Sequence, residues 1–148
     1  MKCIQGAVEP VLLFGCESWA MTGGDERCVN VAQMKWLRGV LGITLWHRRR
    51  NEDIRKICST QQISTKIARH QLRYYGHVTR MAPERLAKQV RKWQQPETWK
   101  RPRGRPHLRW VDTMKRNLGK IGIDNFEQAD NEALNRTGWR DKINSIKD

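Results

Sequence analysis

The sequence lacks the marks of several large protein classes. No two of its four cysteines, Cys3, Cys16, Cys28 and Cys58, are spaced C-x2-C, and His47, His70, His77 and His107 do not supply further ligands at knuckle spacing. A zinc site is therefore not expected, and the cysteines read as reduced thiols packed inside the protein. No apolar run approaches the length of a membrane span, so no membrane partner is expected. The short VLLFG run is preceded by Glu9 and Pro10 and followed by no small-x-small cleavage site, which argues against a signal peptide and for an intracellular protein.

Catalytic constellations are missing as well. Carboxylates are scarce before residue 111, and no Asp-Asp pair follows an apolar strand pattern as a two-metal centre would need. Glu127, Asp130 and Glu132 lie on an otherwise ordinary helix pattern. There is no phosphate-cradling glycine loop and no nucleophile with a placed base. No catalytic residue, metal or cofactor is expected, and the chain does not read as an enzyme by itself. No internal repeat is visible.

What the sequence has is positive charge, unevenly placed. The 148 residues carry a formal net charge of +14. Residues 1–46 hold four basic and four acidic side chains, and residues 111–148 hold seven of each. The whole excess falls in residues 47–110, with eighteen basic and four acidic residues. A charge of this size and sign points to nucleic acid or an anionic membrane surface as partner. Since dispersed surface charge would not leave both flanks neutral, the concentration reads as a functional electrostatic footprint.

The chain patterns as helices. A first helix is expected over about Pro10 to Ala20. After Gly23-Gly24, the Thr22/Asp25 spacing predicts a capped helix with Val29, Ala32, Trp36, Val40 and Ile43 inward and Gly42 as its stop. Asn51 opens a short third helix with Ile54 and Ile57 turned in. A fourth, about Ile63 to Met81, places Ile63, Ile67, Tyr74, Val78 and Met81 on one face. On an adjoining face stand Lys66, Arg69, Arg73, His77 and Arg80, a ridge without a carboxylate on its own helix to neutralise it. Gly76 lies beside the ridge in mid-helix, where it costs about 1 kcal/mol relative to alanine. It permits close approach of either a phosphate chain or another helix.

Arg85 to Trp93 fits helix or strand, and Gln94 to Pro106 reads as an extended loop. Pro106 can start a helix with Leu108, Val111, Met114 or Lys115, and Leu118 inward. Asp124 and Glu127 have capping-box spacing for a helix with Ala129 and Ala133, and Thr137 is placed to cap a last one with Trp139, Ile143 and Ile146. The fold expected is all-α: an irregular helical bundle over 1–82, a basic Pro/Gly-containing linker over 83–106, and C-terminal helices over 107–148.

The sharpest local motif is KRPRGRPHLR, Lys100 to Arg109. A Gly-Arg-Pro core flanked by arginines matches peptides that lie in the minor groove of A·T-rich DNA, where glycine lets the backbone hug the groove and arginine is drawn to narrow width. An ordinary charged connector has the same composition. Of the seven tryptophans, Trp36 and Trp139 sit on apolar stripes. Trp93, Trp99 and Trp110 flank the basic loop, where stacking on bases and packing are both open.

At VLLFGCESWA, Val11 to Ala20, the chain resembles the LLYGCE-x-W segment that follows the catalytic palm in reverse transcriptases of LINE-type, non-LTR retrotransposons. WLRGVLGI (Trp36 to Ile43), RRNEDIRKIC (Arg49 to Cys58), LRYYGHVTRM (Leu72 to Met81), RGRPHLRWVD (Arg103 to Asp112) and Trp139-Arg140 resemble successive blocks of that family in the same order. Phe14 stands where tyrosine is usual, Tyr74-Tyr75 where Trp-Phe is common, and Asn135 where an aspartate often precedes the arginine.

The resemblance implies a thumb and post-thumb region: a helical element that grips the template–primer duplex, followed by a part that contacts element RNA or target DNA. It also implies that the palm aspartates and any endonuclease domain are absent, as in a truncated copy or partial reading frame. Any palm would come from another part of a retroelement polymerase, and a nuclear location is expected. On this reading Lys66, Arg69, Arg73, His77 and Arg80 track one strand of an RNA–DNA hybrid or duplex. Arg101, Arg103, Gly104, Arg105 and Arg109 clamp a second strand or groove. Two other readings stand beside it: a stand-alone A·T-hook-like minor-groove DNA-binding protein, and an inert relic that folds poorly without its palm.

Overall fold

The computed structural model describes residues 8–92, 103–104 and 108–146. Among them the protein is all-α. Its helices are α1 (Glu9–Leu13), α2 (Gly23–Leu41), α3 (Asn51–Ile57), α4 (Ile63–Arg80), α5 (Leu86–Lys92), α6 (Trp110–Gly119), α7 (Phe126–Leu134) and α8 (Arg136–Asn144), with 3-10 turns at Cys16–Ser18 and Leu45–His47. No described helix is long and apolar enough to cross a membrane.

Several boundaries follow from local chemistry. Thr22 caps α2 in a reciprocal box with Asp25, whose backbone N–H donates to Thr22 Oγ1 at 3.1 Å while Thr22 N–H donates to Asp25 Oδ2 at 2.8 Å. Gly42 ends α2 in the left-handed region at φ +63°. The first helix is shorter than the Pro10–Ala20 expectation because Gly15, at φ +68°, breaks it and redirects the chain into the turn at Cys16–Ser18. Residues 86–92 take the helical alternative. The caps of α7 and α8 are Asn125 and Asn135 rather than Asp124 and Thr137; Asn135 Oδ1 accepts the Gly138 N–H at 3.2 Å.

The fold is organised around α4, which packs against α2, α5, α6, α7, α8 and the turn at Cys16–Ser18. Enclosed on several sides, α4 buries far more than the single face its apolar periodicity marks: Thr65, Ala68, Gln71, Leu72, Tyr75, Gly76 and Thr79 are buried with Ile63, Ile67 and Val78. Tyr75 rather than Tyr74 enters the core, and Met81 is half-buried. The main core joins Leu72 and Tyr75 to Met114 and Leu118 of α6, Ile123, Ala129 and Ala133, and to Trp139, Ile143 and Ile146. Burying side chains of this size stabilises by roughly 1.5–3 kcal/mol each. A second cluster gathers Cys16, Met21, Ile63 and Ile67, and a third gathers Met34, Leu37, Ile54 and Cys58.

The α2 stripe also differs from its periodicity: Gln33, Met34 and Leu37 are buried, while Val40 is 52% exposed. The reason is polar. The N-terminus of α4 has no side-chain cap of its own, and α2 supplies one in trans. Ile63 N–H donates to Gln33 Oε1 at 3.1 Å and Ser64 N–H to Asn30 Oδ1 at 3.2 Å. Holding Asn30 and Gln33 against α4 rotates Val40 outward. In α3, Ile54 is buried but Ile57 is half out; in α6, Met114 and Leu118 are buried while Val111 stays exposed, as does Leu108, which lies before the helix rather than in it.

Candidate nucleic-acid interface

The α4 ridge divides into engaged and free charges. Lys66 Nζ lies 2.6 Å from Glu9 Oε2 and donates to Thr60 Oγ1 at 3.0 Å. Arg69 donates to Gln61 Oε1, to the Ile146 carbonyl at 2.5 Å and to the Asn144 carbonyl at 3.4 Å. Arg80 donates to the Ala133 carbonyl. Arg73 and His77 are exposed.

Two further central cations are tied into the fold. Lys88 donates to the Thr79 and Met81 carbonyls at 2.9 and 2.6 Å. Arg91 grips Asp130 with both terminal nitrogens at 2.7 and 2.8 Å and lies 4.8 Å over the Tyr75 ring. Arg80, Arg69 and Lys88 thus meet the carbonyls at the C-terminal ends of α7, α8 and α4, where the helix dipole favours a cation. Part of the central positive charge is structural glue.

Of the basic loop, Arg101 and Arg105 lie outside the described residues, as do Trp93 and Trp99. Arg103 and Gly104 are exposed, with Gly104 at φ +130°, and Arg109 precedes α6 with its N–H on Asp112 Oδ2 at 3.0 Å. Trp110 is a packing residue: its indole donates to the Glu17 carbonyl at 2.7 Å and stacks on Tyr75 at 6.5 Å between centroids.

Among the described residues, five arginines converge elsewhere, where α2 gives way to α3. After Gly42 the chain makes the tight turn at Leu45–His47, held by the Thr44 N–H on His47 Nδ1 at 3.1 Å. Arg48 follows in the left-handed region at φ +49°, and Asn51 begins α3. Arg38 reaches across from α2 to Asn51 Oδ1 at 2.5 Å. Arg38, Arg48, Arg49, Arg50 and Arg55 thereby line one open cavity of about 690 Å³, with Glu52 the one acidic residue in its lining among the described residues. The guanidinium groups of Arg48, Arg49 and Arg50 have no hydrogen-bond or ion-pair partner among the described residues. Arg48–Arg50 are not among the sequence-derived candidates, yet a signal exists: three consecutive arginines almost directly after a tryptophan.

Another grouping escapes the spacing argument. Cys16 Sγ, a Glu17 carboxylate oxygen and a His70 ring nitrogen all lie within 4.8 Å of one another, with His70 Nδ1 3.8 Å from Glu17 Oε1. Burial, reinforced by the Glu17 charge, pushes the Cys16 thiol up to about 11, so near neutral pH the group presents a thiol rather than a thiolate.

The chain is similar to a transposon-derived protein. Over 115 residues, 75% of this chain, it is 29% identical to a Caenorhabditis elegans protein named as transposon-derived. It spans 41% of that protein's length. No family model matches the sequence. No solved structure matches it either. The likeness ties the chain to transposon-derived sequence and carries no activity with it.

Proposed function

We propose that this chain binds nucleic acid through backbone phosphates, as the non-catalytic C-terminal part of a retrotransposon RNA-directed DNA polymerase. The observation that carries the reading is the arginine-lined cavity beside α3, whose guanidinium groups at Arg48–Arg50 have no hydrogen-bond or ion-pair partner among the described residues. Arginine forks suit phosphate oxygens, and clustered cations gain affinity by releasing the counterions condensed on a polyanion. The likeness to a transposon-derived protein and the ordered resemblance to LINE-type blocks favour an RNA–DNA hybrid, element RNA or target DNA as the polyanion. A palm-containing protein supplies the chemistry in this reading. Arg73, His77, Arg101, Arg103, Arg105 and Arg109 add contacts outside the cavity.

The test is fluorescence anisotropy with a labelled RNA–DNA hybrid and same-sequence DNA duplexes, random and A·T-rich, across a salt series. About six phosphate contacts on B-DNA predict a log–log salt slope of roughly −5. Saturable, salt-steep binding with the hybrid preferred supports the reading. A marked preference for A·T-rich duplex replaces it with minor-groove binding through the Gly104 loop. No saturable binding near physiological salt overturns it.

A further inference from the structure

The arginine cavity does not stand alone. A second cavity of about 740 Å³ adjoins it and shares Arg38, Thr44, Leu45, Asn51 and Arg55. It continues along α2, where Arg27 and Lys35 bring further positive charge and Val31, Met34 and Ile43 line an apolar stretch. Together the two form a groove with cations along its length and, among the described residues, one carboxylate, Glu52, in its lining.

The apolar part of this groove is open to water. Val31 is 69% exposed, Leu45 is 76% exposed, and Trp46, in the same tight turn as Leu45, is 91% exposed. The contrast with Trp110 and Trp139 is sharp, since both of those pack inside and donate their indole N–H to a carbonyl. Trp46 makes no side-chain hydrogen bond or ring contact among the described residues, so nothing inside the fold accounts for an indole there. Arg48, two residues on, holds a left-handed backbone that a side chain adopts at a cost.

A duplex offers a protein its phosphates and groove edges, but its base faces are stacked on one another. An unpaired strand offers phosphates and free base faces together. A groove lined by arginines and aliphatic side chains, with the exposed indole of Trp46 next in the chain to its lining residue Leu45, matches the second description. We infer that this groove is a binding site for single-stranded nucleic acid, with phosphates held by Arg38, Arg48, Arg49, Arg50 and Arg55 and an unpaired base stacked on Trp46. The inference rests on the nucleic-acid reading above and specifies which form of the polyanion this surface takes.

The experiment compares labelled single strands of about 12 nucleotides, RNA and DNA, with the blunt duplex of the same sequence. The proteins are the full chain, Trp46→Ala, Trp46→Phe and the combined Arg48→Ala/Arg49→Ala/Arg50→Ala variant, with circular dichroism melts confirming that each folds. Trp46→Ala is expected to weaken single-strand binding about tenfold and duplex binding less than twofold, with Trp46→Phe retaining most of the affinity. The triple variant should flatten the single-strand salt slope by about two, at roughly 0.7 for each phosphate no longer neutralised. RNA bound more tightly than DNA would identify the natural strand, and equal binding would mean that phosphate and base face suffice. If Trp46→Ala changes neither form, or both equally, the groove is not a single-strand site, while the broader reading stands on hybrid and duplex binding. If the unaltered chain binds no form, the broader reading falls with it.

Discussion

The indole of Trp139 occupies the space where a side chain at position 76 would begin. A Cβ built on Gly76 would lie 2.5 Å from Trp139 Nε1 and 2.7 Å from its Cδ1. Trp139, from α8, donates its indole N–H to the Leu72 carbonyl on α4 at 3.0 Å and lies 5.9 Å from the Tyr75 ring between centroids. The mid-helix glycine thus serves helix–helix approach, not approach to a phosphate chain.

Gly76→Ala should therefore destabilise the protein. The helix-propensity gain of about 1 kcal/mol is opposed by overpacking and displacement of a buried tryptophan. A net loss of about 1–3 kcal/mol in urea unfolding is expected. A variant as stable as the unaltered protein would show that Trp139 moves aside without cost.

The α4 ridge should split in two when its members are truncated. Arg69→Ala and Arg80→Ala remove hydrogen bonds to helix C-termini and should each cost about 1–3 kcal/mol of stability. Arg73→Ala and His77→Ala should stay within about 0.5 kcal/mol in stability, because both side chains are exposed. In the anisotropy assay Arg73→Ala should weaken binding without altering the melt. Equal thermal shifts for all four would contradict the division.

Asp130 gives the protein an acid-sensitive tie. Burial raises its pKa, but hydrogen bonds from Arg91 and Tyr75 outweigh that effect and hold the carboxyl below its usual range. Because the folded value is depressed below the unfolded one, near 3.9, the stabilisation is fully present above that pH and is lost as pH falls through the folded value. Asp130→Asn should cost about 1–2 kcal/mol at pH 7, discounted for a carboxylate 38% exposed, and its stability should vary less below pH 4. Tyr75, whose phenol is pushed up by burial and then by its bond to Asp130, remains a donor across this range. Parallel acid curves for the two proteins would remove Asp130 from the account.

The three described cysteines should differ in reactivity. Cys28 is exposed, whereas Cys16 and Cys58 are buried and burial raises the pKa of both thiols. Iodoacetamide at pH 7.5 under native conditions should label Cys28 well before the other two, as peptide mass spectrometry would read. Early labelling of Cys16 would mean that the second core cluster opens readily.

Arg48→Gly should separate folding from binding. Relief of the left-handed strain, about 1–2 kcal/mol, exceeds the added unfolded-state entropy of about 0.4–1 kcal/mol, so the variant should match or slightly exceed the unaltered protein in stability. Single-strand binding should weaken, since one phosphate-binding guanidinium is gone. A clear loss of stability would instead give the Arg48 side chain a structural role.

Much of the helix layout was legible because helix ends are local. Thr22 with Asp25, and Gly42 after α2, act within a turn of the residues they cap. The identity of the buried face was less legible. The choices of Tyr75 over Tyr74, and of Gln33 and Leu37 over Val40, depend on partners in other elements: Asp130 for the Tyr75 hydroxyl, and the uncapped N-terminus of α4 for Gln33.

The sequence by itself determined an all-α fold, the limits of α2 and α4, the start of α3, and an excess of positive charge confined to residues 47–110. These follow from caps, glycines, periodicity and summed charge, which need no long-range contact. The tertiary structure alone decided which of those charges are free. Lys66, Arg69, Arg80 and Arg91 find their acceptors 39 to 77 residues away, at Glu9, Ile146, Ala133 and Asp130. Arg48, Arg49 and Arg50 converge with Arg38 and Arg55 into one cavity because α2 and α3 fold side by side. A charge becomes glue or binding surface according to what the fold brings within hydrogen-bonding reach, and that distance is not a property of the sequence around it.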